Sequence, residues 1–150
     1  MENIKLTITG YEACKFIQEY FPKDWRYRFN LKICDIQLYS KLSQISLKEA
    51  LDKIIKTIDD ITIVYEFLGA YYFLELNKKY AAISTIKTRI HQLDTCIIEL
   101  EYSDETIQKK EFLRDYYLRK QKELESEIVA IEKQIEKETN SSISIITELN

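Results

Sequence analysis

The chain has 150 residues, of which 45% are apolar and 31% charged, with two glycines, one proline and a net charge of -3. This much apolar material buries a core and argues against wholesale disorder, and so few turn-formers argue against sandwiches and barrels in favour of long helices. Near-balanced charge gives no global attraction to nucleic acid or to an anionic membrane.

Residues 1–45 read as a small α/β unit of strand, helix and strands. Ile4, Leu6 and Ile8 alternate with Lys5, Thr7 and Thr9, the period of a half-buried strand, and Gly10 punctuates it. Over Tyr11 to Phe21, Cys14, Phe16, Ile17 and Tyr20 fall at helical spacing, and Pro22 ends that helix. From Trp25 the alternation returns. Trp25, Tyr27, Phe29, Leu31 and Ile33 would face one way and Arg26, Arg28, Asn30 and Lys32 the other, with a further short strand around Ile36 and Leu38. Basic and aromatic residues on one strand resemble surfaces that stack bases, but strand geometry sends the two sets to opposite faces.

Residues 46–138 read as long helices. Ser46-Leu47-Lys48-Glu49 is a capping box that starts a helix near Leu47. Leu47, Leu51, Ile54, Ile58, Ile61, Tyr65, Leu68 and Tyr72 then step by four and three, which predicts one helix through the apolar run 61–76. A β-hairpin turned at Leu68-Gly69-Ala70 is the competing reading, and Asn77-Lys78-Lys79 is the expected break. The run is shorter than the roughly 20 residues of a membrane span and contains Glu66 and Glu75, so core burial is expected and membrane insertion is not.

The strongest pattern is a pair of apolar ladders around Ser103-Asp104-Glu105. Tyr72, Leu76, Ile83, Ile86, Ile90, Leu93, Ile97 and Leu100 precede it; Ile107, Tyr117, Leu124, Ile128, Ile131 and Ile135 follow. Folding at the break predicts an antiparallel, coiled-coil-like helical hairpin. Its expected pairs are Leu100–Ile107, Ile90–Tyr117, Ile83–Leu124, Leu76–Ile131 and Tyr72–Ile135. Residues 139–150 read as a polar tail, with a possible short strand at Ile143, Ile145 and Ile146.

No segment carries a catalytic, metal or nucleotide motif, and no cofactor or small-molecule substrate is implied. The three cysteines, Cys14, Cys34 and Cys96, are widely spaced, and His91 is the sole histidine, so a structural zinc site is not expected. All three are expected reduced and buried as small hydrophobes, which suits a cytoplasmic protein, and Met-Glu-Asn-Ile-Lys lacks the basic and apolar regions of a signal peptide. The charged residues suggest one candidate surface. In the register above, Lys87 and Arg89 come level with Arg119 and Lys120, and Arg114 and Lys122 lie nearby. Together they form a basic belt for phosphates or an acidic partner, with Arg26 and Arg28 a second candidate. Tyr65, Phe67, Tyr71, Tyr72 and Phe73 exceed what a two-helix seam buries and are candidate interface aromatics.

The function expected is therefore non-enzymatic: a structural or assembly protein packing through its hairpin and aromatic surfaces into a larger complex. The tail would be ordered most easily against neighbouring subunits. Abundant isoleucine and lysine suggest an AT-rich genome, compatible with a bacterium or its phage, so a virion component is one such complex. The alternative is a small binding module or inhibitor that contacts nucleic acid, or a nucleic-acid enzyme, through a basic and aromatic patch.

Overall fold

The computed structural model describes the backbone from Glu2 to Leu149 and the side chains of residues 6–142 and 144. In chain order the elements are β1 (Glu2–Thr9), α1 (Gly10–Tyr20), α2 (Trp25–Ser43), α3 (Leu47–Ile55), α4 (Ile61–Glu101), α5 (Ile107–Asn140) and β2 (Ser142–Leu149). The fold is mainly α, with two long helices as a hairpin and a small two-stranded sheet. Two compact units result: residues 1–77 with 136–150, and residues 78–135.

The first unit contains β1, α1, α2, α3, β2 and the adjoining parts of α4 and α5. β1 and β2 pair antiparallel from Glu2 opposite Leu149 to Thr9 opposite Ser142. The tail expected to lie on neighbouring subunits thus has its partner within the chain. The side chains of Ile4, Lys5, Ile143, Ile145 and Ile146 lie outside the described ones. Thr9 both ends the strand and starts α1. Its hydroxyl accepts from the Glu12 amide at 3.0 Å, and the Glu12 carboxylate accepts from the Thr9 amide at 3.4 Å.

Residues 25–43 are a helix, not two strands. Phe29 and Ile36 are fully buried, Trp25 and Ile33 half-buried, while Tyr27 and Leu31 are exposed. The five apolar residues of the apparent alternation therefore do not share a face. The stripe that enters the core (25, 29, 33, 36) steps by four, four and three, as a helix requires. Apolar residues also lie on the opposite side of α2, so in sequence the two stripes interleave and mimic a period of two. The helix ends at Gln44 in the left-handed region (φ 55°), where its amide donates to the Ser40 carbonyl.

Ser46 caps α3 by accepting from the Glu49 amide at 3.1 Å. The helix expected to run unbroken from Leu47 to Tyr72 stops at Ile55. Local polar groups win there: the Thr57 hydroxyl donates to the Ile54 carbonyl at 2.7 Å, and the Asp60 carboxylate accepts from the Thr62 amide at 2.9 Å, starting α4. The run 61–76 is helical, as the spacing predicts. The break expected at Asn77-Lys78-Lys79 does not form, since lysine is a good helix former and neither glycine nor proline interrupts.

The core of this unit has two clusters. One joins Ile8, Ala13, Ile36, Leu51, Val64, Phe67 and Leu68; the other joins Cys14, Ile17, Phe29, Ala70 and Tyr72. Each fully buried large side chain contributes about 1.5–3 kcal/mol relative to exposure. Gly69 lets α1 and α4 approach: a Cβ there would stand 3.0 Å from the Cys14 backbone and 3.0 Å from the Phe29 ring.

The second unit consists of α4 from Lys78 and α5 up to Ile135, antiparallel about a turn between Glu101 and Ile107. Ile83, Ile86 and Ile128 form its buried seam, with Ile90, Leu124, Ile131 and Ile135 against them. The register is one helical turn away from the sequence expectation. Gln121, four residues beyond Tyr117, donates to the Ile90 carbonyl at 3.2 Å. In the first unit the Tyr72 hydroxyl bonds Thr139 at 3.0 Å, four residues beyond Ile135. Leu100 is buried but Ile107 is exposed, so that expected pair does not form. The turn is asymmetric: α5 starts only at Ile107, where Thr106 accepts from the Lys109 amide at 3.3 Å.

Candidate interaction surfaces

Three places hold the residues singled out by sequence. The first is the aromatic run of α4. Phe67 and Tyr72 are buried, and Tyr65, Tyr71 and Phe73 are half-buried, all within the first unit. Phe73 lies 5.5 Å from Trp25 and 5.8 Å from Phe29, ring centre to ring centre, and Tyr65 lies 4.8 Å from Phe16. Rings of α1 and α2 thus pack on Tyr65 and Phe73, and Lys48 of α3 lies over the Tyr71 ring. Burial, together with Glu75, Glu138 and Asp52, pushes the Tyr71 hydroxyl up to about 12.

The second place is α2 itself. Arg28 lies over the Phe21 ring at 3.5 Å and bonds the buried Glu66 carboxylate at 2.8 Å; Lys32 stands 3.6 Å from the same carboxylate. These cations neutralise a charge held inside an apolar helix, so Arg28 is committed internally, whereas Arg26 is exposed beside the Trp25 ring.

The third place is the second unit. Lys87, Arg89, Arg119, Lys120 and Lys122 are exposed and Arg114 half-buried. Arg89 and Lys120 line an open groove with Leu93, Tyr116, Glu123 and Glu127. Lys120 pairs with Glu123 at 3.4 Å and lies over the Tyr116 ring, while Arg114 reaches Glu101 at 4.0 Å. Acidic side chains thus interleave with the basic ones, and the groove is mixed in charge rather than a continuous basic belt. His91 is exposed, and Asp94 is engaged by the Gln121 amide. Among the described residues no group of three or more His, Cys, Asp and Glu is placed to hold a metal ion, and no helix is long and apolar enough to cross a membrane.

One surface was not singled out by the sequence. Tyr27, Leu31, Leu38 and Leu42 are 68%, 45%, 57% and 75% exposed and lie on the side of α2 away from the core. Cys34 lies among them and is exposed, and Cys96 is half-buried, so of the three cysteines expected in the core Cys14 alone is buried. Their spacing of four, seven and four is a helical stripe, a signal masked by reading the first half of the segment with period two. No family model, curated protein or solved structure matches this chain.

The α2 stripe is the clearest of them. A helix whose core face is already satisfied gains nothing in the folded monomer from four large apolar side chains in water. Contiguous apolar surface of this kind is characteristic of protein contacts.

Proposed function

We propose that this chain is a non-enzymatic structural or assembly protein that packs through helical apolar surfaces into a larger multi-protein complex. The supporting observation is the exposed stripe Tyr27, Leu31, Leu38 and Leu42 on α2, opposite the face that enters the core. The helical hairpin adds a second rigid element with Ile98, Phe112 and Val129 exposed. A virion of a phage with an AT-rich genome is a complex of the kind that such a chain would serve. Less supports contact with nucleic acid or a nucleic-acid enzyme: Lys120 and Arg28 already have carboxylate partners, and the groove on the hairpin carries both signs of charge.

Native size fractionation of extract from the natural source tests the proposal. The chain is expected at masses several-fold above the monomer, returning towards monomer when Leu31 and Leu38 are replaced by aspartate. Monomeric elution of the unaltered chain from concentrated extract would contradict it.

A further inference from the structure

We infer that the partner of the α2 stripe is α2 of a second copy, packed antiparallel about a two-fold axis; this rests on the assembly reading above. The carrying observation is the symmetry of the stripe along the helix. Aligned antiparallel with its centre between Cys34 and Asp35, α2 sets Tyr27 opposite Leu42 of the second copy, and Leu31 opposite its Leu38. Cys34 then falls within one residue of the axis. Every large apolar residue of the stripe meets another, as a self-complementary two-fold interface requires. Antiparallel pairing also opposes the two helix dipoles, which an in-register parallel pair would align.

The face suits a small interface. Four large apolar side chains and Cys34 offer less than the about 800 Å² per partner of a standard interface, and the flanking residues Asn30, Gln37 and Lys41 extend it as a rim. The centre of the face carries no charged side chain. Asp35 flanks it and lies near its own image, so the pair is weakened by like-charge repulsion, and Asp35→Asn strengthens association.

Sedimentation equilibrium of the purified chain reads the outcome. A reversible dimer with a dissociation constant on the order of 10 µM is expected, as suits a small interface. Leu31→Asp/Leu38→Asp raises that constant at least a hundred-fold, with helical content unchanged by circular dichroism. Because that variant alters two positions, cross-linking provides an independent arm. With Cys34→Ser in the background, Tyr27→Cys chains mixed with Leu42→Cys chains are joined by a short bismaleimide, and peptide mapping locates the bridge between the two positions. Tyr27→Cys bridged mainly to itself indicates parallel pairing and overturns the antiparallel register. A purified chain that stays monomeric at 200 µM, while extract still shows a large complex sensitive to Leu31 and Leu38, overturns self-pairing and assigns the face to a different protein. Monomer in both settings removes the assembly reading as well.

Discussion

Replacing Gly69 by alanine sets two physical effects of opposite sign against each other. Alanine is the better helix former by about 1 kcal/mol, and Gly69 lies inside the helical span of α4, so on propensity alone the substitution stabilises. The added methyl, however, would stand 3.0 Å from the Cys14 Cα, 3.0 Å from the Cys14 nitrogen and 3.0 Å from the end of the Phe29 ring, well inside the ~3.5–4.0 Å of comfortable carbon contact. Two of those atoms are backbone of α1, and the third belongs to a fully buried ring, so no flexible side-chain end can give way. Overpacking of this kind costs about 1–3 kcal/mol, so that after the propensity gain a net destabilisation of up to about 2 kcal/mol is expected. In a chain of this length that lowers the unfolding midpoint by up to about 8 °C. Thermal unfolding followed by near-ultraviolet circular dichroism, which reads the aromatic cluster around Phe29, is the assay. A Gly69→Ala protein more stable than the parent would refute the close approach of α1 to α4.

Other outcomes follow from the same geometry. Arg28→Met leaves buried Glu66 with Lys32 alone at 3.6 Å and should destabilise by about 2–4 kcal/mol, whereas Arg28→Met with Glu66→Leu should recover most of that in chemical denaturation. Gln121→Ala removes the amide that spans to the Ile90 carbonyl and the Asp94 carboxylate across the hairpin. A loss of about 1–2 kcal/mol is expected in urea titrations. Stability should also fall in alkali. Burial raises the Cys14 thiol to about 11 from an ordinary 9.0, and the Tyr71 hydroxyl rises to about 12 from 10.0. Both groups hold their protons more tightly folded than unfolded, so their contribution is complete below pH 9 and declines from there through pH 12. A Tyr71→Phe variant should show a shallower decline above pH 10, measured by unfolding midpoints across the range.

The sequence showed most clearly what depends on side-chain period over long stretches. The ladders of 72–135 announce two antiparallel helices because eight and six apolar positions repeat at one spacing, with neither glycine nor proline to interrupt. Their register was less legible, since isoleucines recur every three or four residues and a slide of one turn still places apolar on apolar. What fixes the observed register is polar: Gln121 at the Ile90 carbonyl and Tyr72 at Thr139. The segment 25–43 reads as strands because a helix apolar on two opposite faces contains both a helical and a two-residue period. Only the burial of Phe29 and Ile36 against exposed Tyr27 and Leu31 separates them. The same ambiguity hides the candidate surface, since a period of two puts Tyr27 and Leu31 on the same face as Phe29. The aromatic run of α4 exceeds a two-helix seam because α1 and α2 also pack on it, with Phe67 and Tyr72 buried and Tyr65, Tyr71 and Phe73 half-buried.

That α2 is a helix with one face inside and one outside underlies both the fold and the proposed contact, and thiol reactivity along it measures this directly. Cysteine is placed singly at each position from 25 to 43 in a background lacking exposed Cys34, and alkylation is timed at concentrations low enough to keep the protein monomeric. Slow reaction is expected at 29, 33 and 36 and fast reaction at 27, 31, 38 and 42, a period near 3.6. Protection alternating residue by residue, with 25, 27, 29, 31 and 33 slow and the positions between them fast, would contradict it.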